Sequence, residues 1–208
     1  MAGQILKELK AHAPFTLFGA VSGVVIMAFC YRLPYKISYD LFYVFHPLHV
    51  FLSAVVTSSM YKLHECGRIT GKCLTGGCNL WALFIIGYVG SIGIATLSDS
   101  IIPYLCEVMF KMPNRGIHLG FIEKWWLVNP LAIAGIALAY VKPNTKFPHA
   151  GHVLLSTWAS LFHINMALGQ KMSWVLYPVI LLFLFVAVLV PCCVSDIVFP
   201  ILFVKKPK

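Results

Sequence analysis

Four histidines and two aspartates are the residues of this chain best suited to chemistry. His46 and His49, and again His149 and His152, stand three residues apart. On a helix that spacing puts both imidazoles on one face, a turn apart, within reach of a single ion. Asp99 and Asp196 lie well inside apolar runs, and Pro103 and Pro200 follow them. A carboxylate within such a run is costly and marks a functional site by default. The proline behind it frees a carbonyl that can help hold a cation. Two imidazoles and a carboxylate suit Zn²⁺, Fe²⁺, Mn²⁺, Co²⁺ or Ni²⁺. Two metal sets are therefore expected, His46/His49/Asp99 in one half of the chain and His149/His152/Asp196 in the other. The same histidines also suit hydrogen bonding between helices, a proton relay, or axial ligation of haem b.

Both histidine pairs continue into polar stripes. His46, His49, Ser53, Thr57 and His64 share one helical face, and His149, His152, Ser156, Ser160 and His163 repeat the pattern. In lipid such a face must turn toward protein or water, because exposed polar groups there cost several kcal/mol. The stripes are expected to meet where the two halves join. A further candidate is the loop with Cys66, Cys73 and Cys78 beside His64, although C-x₆-C-x₄-C matches no common zinc or iron–sulfur pattern. Cys192 and Cys193 could lend soft ligands near Asp196, but they read first as small packing hydrophobes.

The elements that would position these groups are long and apolar. Of 208 residues, 60% are hydrophobic and 11% charged, against roughly 25% charge in a soluble domain. Six stretches, 14–31, 42–63, 79–105, 125–141, 149–169 and 174–204, meet or approach the roughly 20 apolar residues that cross a bilayer. They are continuous rather than alternating, which disfavours a β-barrel. The expected fold is all-α: a polytopic membrane protein with six transmembrane helices arranged as two inverted three-helix repeats.

The repeat rests on two motifs. His46-Pro47-Leu48-His49-Val50-Phe51-Leu52-Ser53 returns as His149-Ala150-Gly151-His152-Val153-Leu154-Leu155-Ser156, and Ser98-Asp99 with Pro103 returns as Ser195-Asp196 with Pro200. Offsets that change only in loops are what a duplication with insertions leaves behind. A unit of three spans is odd, so its second copy enters the membrane upside down, an arrangement common in transporters with sites at the repeat interface. The whole chain, 1–208, then forms one transmembrane domain: repeat one over about 12–105, a linker at 106–124, and repeat two over about 125–204.

The formal charge of +9 does not point to nucleic acid, because the cations sit at the ends of apolar runs, where they anchor helices to headgroups. Counted over the loops, they favour cytoplasmic termini. Lys205, Lys206 and Lys208 read as an anchor or a dilysine signal. No cleavable leader is evident, so the first span is expected to be retained. A plasma or inner membrane is the expected location, with lipid, a small ion or a proton as partners and homo-oligomers left open. The chain carries no P-loop and no GxSxG elbow. The leading functional expectation is a transporter or channel for a divalent transition metal. The other classes are an intramembrane metal-dependent hydrolase, a b-type haem electron carrier, and an assembly subunit that transports nothing.

Overall fold

The computed structural model describes residues 2–70, 79–143, 146–169, 173–193 and 199–203, and among these every regular element is a helix. Helix α1 spans Ala2–Cys30, α2 Tyr35–Thr70, and α3 Leu80–Thr96. A π-turn, Leu97–Ile101, then leads directly into α4, Ile102–Met109. Short α5, Gly120–Glu123, precedes α6, Trp125–Val141; α7 is Lys146–Ala167, α8 Leu176–Cys193 and α9 Phe199–Leu202. Among the described residues three stretches are long and apolar enough to cross a membrane, namely Ala13–Cys30, Tyr35–Glu65 and Leu80–Met109. Trp125–Val141 and Leu176–Cys192 are shorter apolar helices.

Local chemistry accounts for the ends and irregularities. Asn79 caps α3, its side chain accepting from the N–H groups of Trp81 and Ala82, which satisfies donors that the helix start leaves open. Pro103 has no N–H to give the carbonyl of Asp99. The chain answers with a wider turn there, and the Ile102 N–H bonds the Leu97 carbonyl. Such π-bulges gather at functional sites. Pro47 lies in the interior of α2, so His46 does not open that helix as the proline suggested. Eleven residues of helix precede it, and a helix buried among neighbours tolerates the lost bond.

Two helices form the centre. α2 packs along α7, and the other helices surround them in matched pairings: α6 on α2 and α1 on α7, α8 on α1 and α3 on α6, α9 on α2 and α4 on α7. Exchanging α1 with α6, α2 with α7, α3 with α8 and α4 with α9 maps these pairings onto one another. Close approach is needed where α6 crosses α2. A side chain at Gly135 would put its Cβ 2.5 Å from the Phe51 carbonyl oxygen.

Many polar side chains gather in the interior, while many large apolar ones face outward. His46, His49, Ser53, Asp99, His152 and Ser156 are buried, whereas Phe18, Phe29, Trp81, Trp125, Leu182 and Val190 are exposed. Apolar packing still fills the space between, with Ala20, Met27, Phe42, Leu161, Ile164 and Leu184 in the largest cluster. The segment between the halves is not a free linker. Met112 N–H bonds the Glu107 carbonyl, Asn114 N–H the Ala167 carbonyl, and Gly116 N–H the Glu107 side chain.

Candidate metal centre

The π-turn delivers Asp99 into the space between α2 and α7. Its Oδ2 accepts from His46 Nδ1 at 2.9 Å and from His49 Nδ1 at 2.8 Å. Its Oδ1 accepts from Ser98 Oγ at 2.6 Å and Ser156 Oγ at 2.8 Å. The i, i+3 spacing on α2 is what lets both rings reach one oxygen. Four donors from three elements thus saturate the carboxylate, which is fully buried.

That network fixes the tautomers. An ionised carboxylate only accepts, so each Nδ1 must carry its proton, and each neutral ring then keeps a lone pair on Nε2. His49 Nε2 is buried and has no hydrogen-bond partner among the described residues. An orphaned acceptor in an interior calls for an explanation. The His152 ring faces it, with centroids 5.6 Å apart and planes tilted by 35°. Cys192 of α8 completes the cluster: one ligand atom each from His49, His152 and Cys192 lie within 4.8 Å of one another, all buried.

This donor set fits a soft-to-borderline divalent metal. Bonds of about 2.0 Å to nitrogen and 2.3 Å to sulfur imply ligand atoms roughly 3.3–3.7 Å apart in a tetrahedron. Side-chain rotations on the order of 1 Å would close the site. Asp99 stands behind His49 on its other nitrogen, the carboxylate–histidine–metal arrangement that orients a ligand and raises its basicity.

The residues singled out by sequence divide accordingly. His49 and His152, one from each histidine pair, come together in a single cluster rather than in separate halves. Asp99 supports His49 through Nδ1 rather than joining the ligand atoms. His46 shares Asp99, but its Nε2 lies against Gly120, where a Cβ would stand 2.5 Å away, and its ring stacks on Phe42 at 5.2 Å. His46 therefore anchors. Asp196, Cys73 and Cys78 lie outside the described residues, as do the side chains of His149 and Cys66. Of the stripe residues, Ser53 and Thr57 are buried beside the seam. Ser156 holds Asp99, and Ser160 Oγ donates to the Ser98 and Ser156 carbonyls. His64 Nδ1 bonds the Met60 carbonyl of its own helix at 2.8 Å, apart from this network.

Sequence reasoning gave Cys192 to packing and Glu107 to a linker. Glu107 is fully buried, and its Oε1 lies 2.7 Å from His163 Nδ1. His163 Nε2 lies 3.2 Å from Ser100 Oγ. That hydroxyl donates to the His118 carbonyl and accepts the His118 N–H. Farther out, His118 Nδ1 lies 3.2 Å from Glu123 Oε2, which also accepts from Tyr43 at 2.7 Å. Partial burial pushes the Glu123 carboxyl up, but hydrogen bonds from Tyr43, His118 and the Leu119 N–H outweigh it and hold the group below its ordinary value. The signal for Glu107 was available: it lies on the helical continuation of the Asp99 span, only four residues past Pro103.

No family model matches the chain, and neither the curated proteins nor the solved structures searched yield a match.

Proposed function

We propose that this chain is a six-span membrane protein built from two inverted three-helix repeats, and that it carries a divalent transition metal across the bilayer. In this reading His49, His152 and Cys192 bind the ion at the seam of the repeats. The observation that carries it is the buried, unpartnered Nε2 of His49, on a ring that Asp99 holds through Nδ1 and that clusters with His152 and Cys192.

Three features support the membrane and repeat parts. Apolar side chains face outward while the polar stripes face inward, the arrangement that lipid favours. The helix pairings come in matched twos around α2 and α7. Those two helices carry the repeated HxxH motifs. A site shared between inverted repeats can be offered to either side as one half rocks against the other. Electrostatics support the cation. Asp99 is a buried carboxylate whose donors are two imidazoles and two hydroxyls, so a positive ion on His49 would neutralise a charge that is costly in a low-dielectric interior.

Elemental analysis of the purified protein after dialysis against Zn²⁺ tests the binding, and flux into proteoliposomes loaded with a zinc-sensitive dye tests the transport. About one ion per chain is expected, lost in His49→Ala and in Cys192→Ser and retained in His64→Ala. Binding that ignores His49 would remove the site. Binding without flux would remove the transport.

A further inference from the structure

A second buried ionisable pair shares a helix face with the metal cluster. On α7, His152, Ser156, Ser160 and His163 recur at spacings of three and four, so one stripe faces the seam. Ser156 bonds Asp99, Ser160 bonds the Ser98 carbonyl, and His163 bonds Ser100 and Glu107. Ser156, Ser160 and His163 thus all hold the same element, the π-turn with α4.

Hydrogen-bond logic fixes the protons of the pair. The Ser100 hydroxyl spends its own proton on the His118 carbonyl, so His163 Nε2 must be the donor to Ser100. One further proton then lies between His163 Nδ1 and Glu107 Oε1, and Glu107 Oε2 is occupied by the Gly116 N–H. In that state the pair is neutral overall, with imidazolium facing carboxylate or imidazole facing carboxylic acid. It can take one more proton, becoming imidazolium and carboxylic acid, at the loss of their attraction.

The surroundings contain other titratable groups. His118 meets the His163 ring at 5.3 Å, with Glu123 beyond it. Asp99 lies on the π-turn, and Cys106 adjoins Glu107 on α4. On α2 the Phe42 ring covers His163 edge-on, with His46 stacked on Phe42. Among the described residues α8 carries Tyr177 and Cys192, and α1 carries Cys30 and the exposed Lys10. A route to water is near. Tyr35 lines a cavity of about 210 Å³ together with Asn114 and Asn165, and its hydroxyl lies 3.3 Å from His118 Nε2. The Oδ1 of Asn165 is buried with no hydrogen-bond partner among the described residues, a place that suits ordered water.

We infer that the His163–Glu107 pair is a proton-binding site whose occupancy is coupled to that of the metal cluster, so that metal entry loosens its hold on the extra proton. The inference rests on the reading of His49, His152 and Cys192 as a metal site. Eleven helical residues separate His152 from His163, roughly 16 Å. At an effective dielectric near 20, a net cation at that distance weakens proton binding by on the order of tenfold. The shared π-turn adds a mechanical link.

The test is a count of protons released when Zn²⁺ is added to the detergent-solubilised full chain in weak buffer at mildly acidic pH, read with an indicator dye. Near the pair's titration midpoint the wild-type protein should release about one and a half per ion, about one from the Cys192 thiol and up to about half from the pair. Glu107→Gln and His163→Gln should bind the same amount of Zn²⁺ and release up to about half a proton fewer. Release equal to wild type in both variants overturns the proton site and leaves the metal reading intact. No Zn²⁺ bound by the wild type overturns both. If neither variant folds, infrared difference spectra of the unmodified protein decide: the carbonyl band of a buried carboxylic acid should shift or lose intensity on adding Zn²⁺, and an unchanged band refutes the coupling.

Discussion

Asp99→Asn separates a positioning carboxylate from a merely structural one, because the two roles predict opposite changes. The asparagine can keep the shape of the network. Its carbonyl oxygen can accept from the two Nδ1–H groups, and its amide can donate to Ser98 and Ser156, whose hydroxyls are able to rotate and accept. What it cannot keep is the negative charge. Charge-assisted hydrogen bonds contribute about 1.5–3 kcal/mol each, against about 0.5–1.5 for neutral ones. Loss of a carboxylate behind a histidine ligand typically weakens metal binding by about 10–100-fold, or roughly 1.4–2.8 kcal/mol. Without metal the sign reverses, since the variant no longer buries a charge, so its thermal stability should equal or exceed that of the wild type. Zinc affinity by competition with a chelator, alongside thermal unfolding of the metal-free protein in detergent, reads both quantities. Unchanged zinc affinity together with a clear drop in metal-free stability would refute the reasoning.

Other expectations follow from the same geometry. Saturating zinc at about 100 times its Kd should stabilise the wild-type protein by roughly 2.7 kcal/mol in thermal unfolding, and the gain should be absent in His49→Ala. Gly120→Ala should push the His46 ring off Phe42 and Asp99, since a Cβ would stand 2.5 Å from Nε2; an overpacking loss of about 1–3 kcal/mol is expected in the unfolding midpoint. Glu123 is held below its ordinary pKa, so its contribution to stability is present above the unfolded-state value and is lost as pH falls through the folded-state value. Glu123→Gln should therefore be less stable than wild type at neutral pH, with the gap closing in acid. On the proposed six-span reading both termini lie on one side, so protease-cleavable tags at the two ends of the chain in sealed vesicles should be cut, or spared, together.

The chain's own pattern determined the helical class and marked many of the polar residues that the fold then buries. Apolar runs of bilayer length, polar groups recurring at helical spacing, and acids set before prolines are local signals, and local physics reads them in one dimension. The apolar stretch expected at 125–141 coincides with α6, whose ends carry Trp125, Trp126 and Lys142. The limits of α2 were less legible, since Pro47 suggests a start, yet neighbouring helices carry the backbone through it. The long-range pairings could not be read at all. HxxH spacing says that two rings share a face, but which nitrogen of each is free depends on where Asp99 arrives, and that depends on a π-turn widened by Pro103. Cys192 lies 143 residues from His49 and meets it only because α8 and α2 both pack on α7. Glu107 looked like linker for the same reason: burial is a property of the packed whole, and no stretch of sequence carries it alone.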